Sequence, residues 1–148
     1  MAPIVQSIEI ARSPEDVFAY LGELDRHGEW QQQIVSVEVE TEGPTRLGSR
    51  ATEVRRVPGG ATVTATYEIT KYEPPRTVSF QVVNGPVRPV GTVTIEPIGD
   101  GARSRFTLEI EFRGHGIGKL LAPLAERDAR KRIPEDQSRL KERLEGGT

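Results

Sequence analysis

The chain has 148 residues, a net charge of −2, two histidines and no cysteine. This length fits one domain with a core that needs no disulfides. The lack of cysteine excludes disulfides, thiol nucleophiles and cysteine-ligated metals, and two histidines argue against a histidine-rich metal centre. We therefore expect no metal and no cofactor. The acids and bases are interspersed, which argues against a basic face for nucleic acid.

Neither a membrane-spanning nor a secretory segment is predicted. No stretch of the sequence approaches the ~20 apolar residues that a membrane span needs. The opening residues, MAPIVQSIEIA, lack the basic region and the long apolar run of a signal peptide. We expect a cytoplasmic protein, a monomer or a homodimer, with a single domain over residues 1–148.

The first elements are a strand and a capped helix. Residues 4–10 alternate between apolar and polar side chains, which is typical of a strand with one buried face. Ser13 is suited to cap a helix, and Pro14 fits the first helical position. Residues 24–31 are predicted to form a turn with a short second helix, and they hold the only tryptophan, Trp30, among polar neighbours.

Six further strands follow, because the apolar period changes to two from residue 33 onward. The first of them ends before Gly43, and the others cover residues 48–57, 61–72, 77–83, 87–97 and 103–112. The turns between them are short and rich in glycine, proline and asparagine. Consecutive strands joined by short turns require an antiparallel meander.

A long amphipathic helix is predicted over about residues 117–145, where the apolar spacing returns to about 3.6. It would be roughly 40 Å long, and its apolar stripe is the one that can cover the sheet. We place Leu121, Ala125 and Ala129 on the side that faces the sheet, and the charges of 126–131 and 135–145 on the solvent side. A curved sheet wrapped around one helix closes poorly at its ends. We therefore predict an internal cavity with its mouth near the short helices.

Four aromatic residues are candidates to line this cavity. Trp30 is either an amphipathic lid, with its ring inward and its N–H on polar partners, or a plug at the end of the sheet. Tyr67 shares an inward strand face with apolar residues, so its hydroxyl needs a buried partner. Phe80 and Phe106 are either cavity wall or plain core. The predicted ligand-binding set is Trp30, Tyr67, Phe80, Phe106, Leu121, Ala125 and Ala129.

The strand at residues 48–57 is unusual because neither of its faces is apolar. If the face with Ala51 points inward, Glu53 and Arg55 enter the cavity, where desolvation shifts the pKa of a carboxyl group. There they would polarise a ligand carbonyl or take a proton next to one. If the other face points inward, the two residues form a surface ion pair. The candidate catalytic residues are Glu53, Arg55, Tyr67 and, near the mouth, His27.

Three segments carry a resemblance to a known group of proteins. They read SIEIARSPEDVFAYLGELDRHGEWQ, GGATVTATYEITKYEPPRTVSFQ and DARKRIPEDQSRLKERLE. Their order resembles the helix-grip fold of the START and Bet v 1 (SRPBCC) superfamily, and within it the polyketide cyclase/dehydrase and lipid-transport-like proteins. The resemblance implies an α+β fold with a seven-stranded curved antiparallel sheet around a long C-terminal helix, two short helices after strand 1, and a hydrophobic ligand cavity.

Three functions stay open. The first is binding of a small hydrophobic or aromatic ligand, lipid-like or polyketide-like, without turnover. The second is an aromatic polyketide cyclase or dehydratase that enolises a bound poly-β-ketone. The third is a protein-interaction or co-chaperone-type module, which needs an exposed apolar patch; the sequence does not show one, although one could form in the fold. We favour binding, because the candidate catalytic residues are scattered along the chain.

Overall fold

The structure is a computed structural model that describes residues 3–146. Its largest element is a seven-stranded antiparallel sheet. The strands are β1 (Ile4–Ile10), β2 (Ile34–Val39), β3 (Arg50–Arg56), β4 (Thr62–Glu73), β5 (Thr77–Val82), β6 (Val87–Ile98) and β7 (Arg103–Gly114). The helices are α1 (Pro14–Leu21), a short 3-10 helix (Leu24–Glu29) and α2 (Gly118–Glu145). Strands β2 to β7 form the meander, and β1 closes the sheet against β7. The predicted α+β helix-grip fold is confirmed.

The segment between β1 and β2 folds as its sequence predicts. The Ser13 hydroxyl accepts a hydrogen bond from the backbone N–H of Asp16 at 3.2 Å, so it caps α1, and Pro14 follows at the first helical position. The predicted second helix is the 3-10 helix, and Trp30 is its C-cap residue. The 3-10 helix lies over the part of the sheet that α2 does not reach, while α1 packs on β6 and β7 beside the end of α2.

Helix α2 packs mainly against β1, β6 and β7. A Cβ atom on Gly118 would lie 1.7 Å from the carbonyl oxygen of Pro86, so only glycine lets the helix start come this close to the sheet. This contact sets the rotation of α2, with Ala122 and Ala129 turned inward. Leu121 is 40% exposed. Its predicted inward position is wrong, because Ala122 takes that place.

The assignment of residues 135–145 to the solvent side also needs correction. Asp136 and Gln137 are only 3% and 2% exposed. They follow Ile133 by three and four residues, and that spacing places them on the same side of a helix. The side-chain amide of Gln137 donates to the backbone oxygen of Gln6 at 3.0 Å, which ties α2 to β1.

The apolar core is divided into three clusters. One lies between α1, the end of α2 and strands β1, β6 and β7. The second lies between the first half of α2 and strands β1 and β7. The third lies beneath the 3-10 helix, on β3, β4 and β5. Phe80 packs against both the second and the third cluster, so it marks the boundary between the two halves of the sheet.

Candidate functional site

The polar strand β3 turns its Ala51 side toward the interior. Ala51 is fully buried and Glu53 is 8% exposed. In the antiparallel register Ala51 lies opposite Tyr67, which places both side chains on the concave face of the sheet. The face of β3 that points inward is therefore the one with Ala51. Glu53, Arg55 and Tyr67 share the face that the helices cover.

Glu53 and Arg55 form an ion pair at the inner edge of this face. The Arg55 Nη1 lies 2.7 Å from a carboxylate oxygen of Glu53 and also donates to Oε1 of Gln31 at 3.0 Å. Their side chains are 11% and 18% exposed, so the pair is not an ordinary surface ion pair. Removing one partner of such a pair leaves the other charge poorly solvated. The pair is thus a fixed polar feature within a largely apolar surface.

The Tyr67 hydroxyl is buried and has no hydrogen-bond partner among residues 3–146. Desolvation raises the pKa of Tyr67, with a further rise from the charge of Glu53 and an opposing effect from Arg55. The phenol therefore stays protonated, and its O–H is a donor that lacks an acceptor. The Phe80 ring packs edge-on against the Tyr67 ring, with centroids 6.2 Å apart. An acceptor atom brought by a ligand would satisfy this hydroxyl.

His27 contributes a neutral imidazole from the 3-10 helix. Its Nε2 lies 2.8 Å from the carbonyl oxygen of Leu21. A carbonyl accepts only, so Nε2 carries the proton and Nδ1 is left as an acceptor. Burial lowers the pKa of His27, while the hydrogen bond to Leu21 and the charge of Glu53 oppose that shift. The charges of Glu53 and Arg55 thus act on both Tyr67 and His27. The four candidate catalytic residues share one region of the interior.

Trp30 occupies the junction between the 3-10 helix and α2. Its ring is 9% exposed and packs in the first apolar cluster, with the ring of His27 at an edge-on centroid distance of 5.7 Å. Its Nε1 has no hydrogen-bond partner within the described part of the chain, so the expectation that the N–H turns toward polar groups is wrong. The polar link runs through the backbone instead, because Nε of Arg139 donates to the Trp30 carbonyl at 3.2 Å. The surrounding apolar cluster holds the whole indole, including its N–H.

The remaining predicted residues lie apart from this polar region. Phe106 is 1% exposed within the first apolar cluster, and Ala129 is fully buried in the second. Ala125 is half-buried beside Ala129, and Leu121 faces outward. Of the apolar candidates, Phe80 alone packs directly against the ring of Tyr67. The structure therefore gathers Glu53, Arg55, Tyr67, His27 and Phe80.

Arg132 of α2 belongs to the same region and was missed from the sequence. Its Nη1 lies 3.4 Å from Asp136, and its Nε lies 3.6 Å from Asp128. Burial lowers the pKa of Arg132, and the nearby positive charge of Arg55 lowers it further. The spacing did contain the signal, because Arg132 follows the inward Ala129 by three residues. Because the charges of this segment alternate in sign, Arg132 did not stand out from them.

One carboxylate fastens the 3-10 helix over the site. Glu29 accepts a hydrogen bond from the Tyr20 hydroxyl at 2.8 Å. It also forms ion pairs with Arg26 at 3.0 Å and with Arg143 at 2.9 Å. The Arg26 and Tyr20 hydrogen bonds lower the pKa of Glu29 to about 2. The Glu29 contacts connect the 3-10 helix to α1 and to the end of α2.

The predicted internal cavity of ligand size is not open among the described residues 3–146, and Glu53, Arg55, Tyr67 and His27 do not line the small pocket near the short helices. A pocket between α1, β4 and β5 has an interior volume of about 10 Å³, with Phe18, Tyr72 and Val78 in its wall. This is room for about one water molecule. Among the described residues 3–146, no three histidine, aspartate or glutamate side chains gather in a way that would hold a metal ion. In the same range, no helix has the length and apolar composition to cross a membrane.

The sequence matches the family described as polyketide cyclase/dehydrase and lipid transport over residues 1–145. Among solved structures, it is similar to the Zhui aromatase/cyclase of a Streptomyces species, with a TM-score of 0.83 at 14% identity over 97% of this chain and 93% of that one. It is also similar to a Thermus thermophilus protein, with a TM-score of 0.80 at 19% identity over 99% of both chains. A START superfamily protein from Mycobacterium smegmatis gives 0.73 at 13% identity over the full length of both. At these identities the likeness shows the fold. Among curated proteins, none matches the sequence.

Proposed function

Since the chain belongs to the polyketide cyclase/dehydrase and lipid transport family, we propose that it binds a small hydrophobic or aromatic ligand, lipid-like or polyketide-like. The ligand lies between the sheet and its covering helices, with an oxygen atom directed at Tyr67 and Arg55. The observation that carries this proposal is the buried Tyr67 hydroxyl without an acceptor. An unsatisfied buried donor costs about 1–3 kcal/mol, which a ligand oxygen would recover.

The surroundings of Tyr67 have the composition of a ligand site. Leu24 and Val82 are buried beside Tyr67, and Phe80 packs against its ring. The polar groups are few and lie on one side, at Glu53 and Arg55. Small-molecule sites are mostly apolar with a small number of placed polar groups that set orientation. Burial of ligand surface would supply about 25 cal/mol per Å².

Access to this site requires a movement of its cover. An interior volume of about 10 Å³ is too small for an aromatic ring. The 3-10 helix is the shortest element over the site. Its side-chain ties to neighbouring elements run through the partly exposed Glu29, which contacts Tyr20 and Arg143, and through His27, which donates to the carbonyl of Leu21. We therefore assign the 3-10 helix as the part that moves outward when a ligand binds.

Two matched ligands test the proposal. 1-Acetylnaphthalene carries a carbonyl acceptor, and 1-ethylnaphthalene has nearly the same shape without it. Calorimetry on the parent should show the ketone bound about three- to tenfold more tightly, the effect of one hydrogen bond. Tyr67→Phe should remove this difference without loss of stability, while Tyr72→Phe should keep it. Equal affinities in the parent, or no binding of either compound, would contradict the proposal.

A cyclase or dehydratase is the second candidate, because four groups with complementary roles share the site. The neutral His27 and the carboxylate of Glu53 are suited to take a proton from the carbon next to a ketone. The protonated Tyr67 and the cation of Arg55 are suited to hold the negative charge that then develops on the ketone oxygen. The electrons of the broken C–H bond form the enolate, which is the first step of a cyclisation.

Deuterium exchange separates the carrier from the enzyme. In D₂O, an enolising site should exchange the methyl protons of bound 1-acetylnaphthalene faster than buffer alone, as measured by NMR. The double variant Glu53→Gln with Arg55→Met should lose this exchange and still bind the ligand. No acceleration by the parent would favour the carrier. Equal behaviour of parent and double variant in both assays would exclude both residues from the function.

A further inference from the structure

The first turns of α2 expose a contiguous apolar surface, which we call the leucine face. Its residues are Ile117, Leu120, Leu121 and Leu124, with exposed fractions of 68%, 76%, 40% and 63%. Their spacing of three and four residues places them on one side of the helix. Single exposed leucines are normal in proteins, whereas a contiguous apolar patch marks an interaction surface.

The exposure of the leucine face is built into the fold. The opposite side of the helix start lies against the turn before β6, where Gly118 meets the carbonyl of Pro86. The backbone N–H of His115 donates to that same carbonyl at 2.8 Å. Ala122 completes the inward side and is 2% exposed. With the helix rotation fixed in this way, the leucine face must point outward.

Positive charge continues the same side of the helix. Arg127 and Lys131 follow Leu124 by three and seven residues, and both are exposed. Within the described residues 3–146, neither of them, nor Lys119, takes part in an ion pair, whereas Glu126 is paired with Arg130. Residues 117–132 hold five lysines and arginines against two acids, in a chain whose net charge is −2. The charge at this end of the molecule is therefore opposite in sign to the whole.

We propose that the leucine face docks on an anionic lipid surface. The aliphatic side chains would enter the boundary between headgroups and acyl chains, and Arg127 and Lys131 would lie at the phosphates. A helix with apolar residues on one side and flanking cations is the usual form of such an interfacial contact. A second copy fits this surface less well, because a two-fold contact sets the surface against itself, and its acids Glu126 and Asp128 are already paired with Arg130 and Arg132.

Vesicle sedimentation tests this proposal, which does not depend on the proposed ligand. The parent should bind vesicles that contain phosphatidylglycerol at least tenfold more tightly than pure phosphatidylcholine vesicles. Added salt should weaken this binding. Replacing Arg127 or Lys131 by glutamine should cost about fivefold for each charge, the effect of roughly 1 kcal/mol per cation at an anionic surface.

A matched pair of leucine variants locates the contact. Leu124→Glu should abolish vesicle binding, while Leu47→Glu should not, although Leu47 is equally exposed at 65% in the loop between β2 and β3. Leu120→Ser provides a second variant, and circular dichroism checks that each remains folded. Absence of vesicle binding by the parent would overturn the proposal. So would equal binding by Leu124→Glu, or a dimer of the parent in light scattering that Leu124→Glu dissociates.

Discussion

The two halves of the concave face are covered in different ways. Over β1, β6 and β7 lies α2, a helix of 28 residues, and the side chains between them include the buried Phe106, Ala129 and Ile133. Over β3 to β5 lies the 3-10 helix of six residues, and there the sheet keeps Glu53 and Arg55. A long helix can bury a continuous apolar stripe, whereas a single short turn cannot.

This difference suggests that one half of the sheet mainly stabilises the fold and the other half mainly binds the ligand. Buried polar groups cost free energy unless they are paired. Among the described residues 3–146, the Tyr67 hydroxyl beneath the 3-10 helix has no partner, whereas Gln137 under α2 leaves only its Oε1 unpaired and donates through its amide to β1. The half under α2 supplies apolar burial that can offset this cost. We therefore expect substitutions under α2 to change the free energy of unfolding, and substitutions under the 3-10 helix to change ligand binding more than stability.

Phe106→Ala is the strongest test of the stabilising half. The ring is 1% exposed, so its removal leaves a cavity in addition to the lost apolar burial. We expect the free energy of unfolding to fall by about 3–5 kcal/mol, measured by urea denaturation. A loss below about 1 kcal/mol would show that Phe106 borders open space rather than packed core, and the contrast between the halves would then fail.

Gly91→Ala probes the boundary between the halves. A Cβ atom at Gly91 would lie 2.5 Å from Cζ of Phe80, so the ring must shift along Tyr67. Such overpacking should cost about 1–3 kcal/mol. Combining it with Phe80→Leu should recover part of this loss, because the smaller side chain leaves room for the methyl group. If the double variant is less stable than the sum of the single effects predicts, the clash with Phe80 is not the cause.

The pH dependence of stability isolates His27 on the polar half. Burial lowers the pKa of His27 below its ordinary value of 6.5, so the unfolded chain binds the proton more tightly than the folded one. Its contribution is fully present above about pH 6.5 and is lost as pH falls through the folded pKa. His27→Gln should therefore flatten the profile of unfolding free energy between about pH 7.5 and 5. The exposed His115→Gln is the matched control for the substitution itself.

The sequence predicted the elements well because their signals are local. Alternation gave the strands, and Ser13 with Pro14 gave the start of α1. The pairing of β1 with β7 joins residues about a hundred positions apart, and no local pattern contains it. The family resemblance implied one sheet of seven strands but no strand order. The rotation of α2 was missed at Leu121, because it depends on the contact between Gly118 and Pro86.

The candidate site was predicted in part. Its residue types stood out because β3 has no apolar face, yet which face turned inward depended on pairing with β4. Arg132 and Asp136 escaped notice because charged residues on a helix are usually solvated. Their side chains are only 18% and 5% exposed, and the alternating charges of the helix do not predict this burial. Their distance from Ala129 and Ile133 along the helix was the available signal.

The convergence of three contacts on Glu29 has a kinetic consequence. These contacts are electrostatic and about a third exposed, so dissolved ions weaken them, whereas the apolar half is indifferent to such screening. Ionic strength should therefore set the residence time of a molecule held beneath the 3-10 helix without lowering the free energy of unfolding. Release and unfolding would then be controlled by different properties of the surrounding solution.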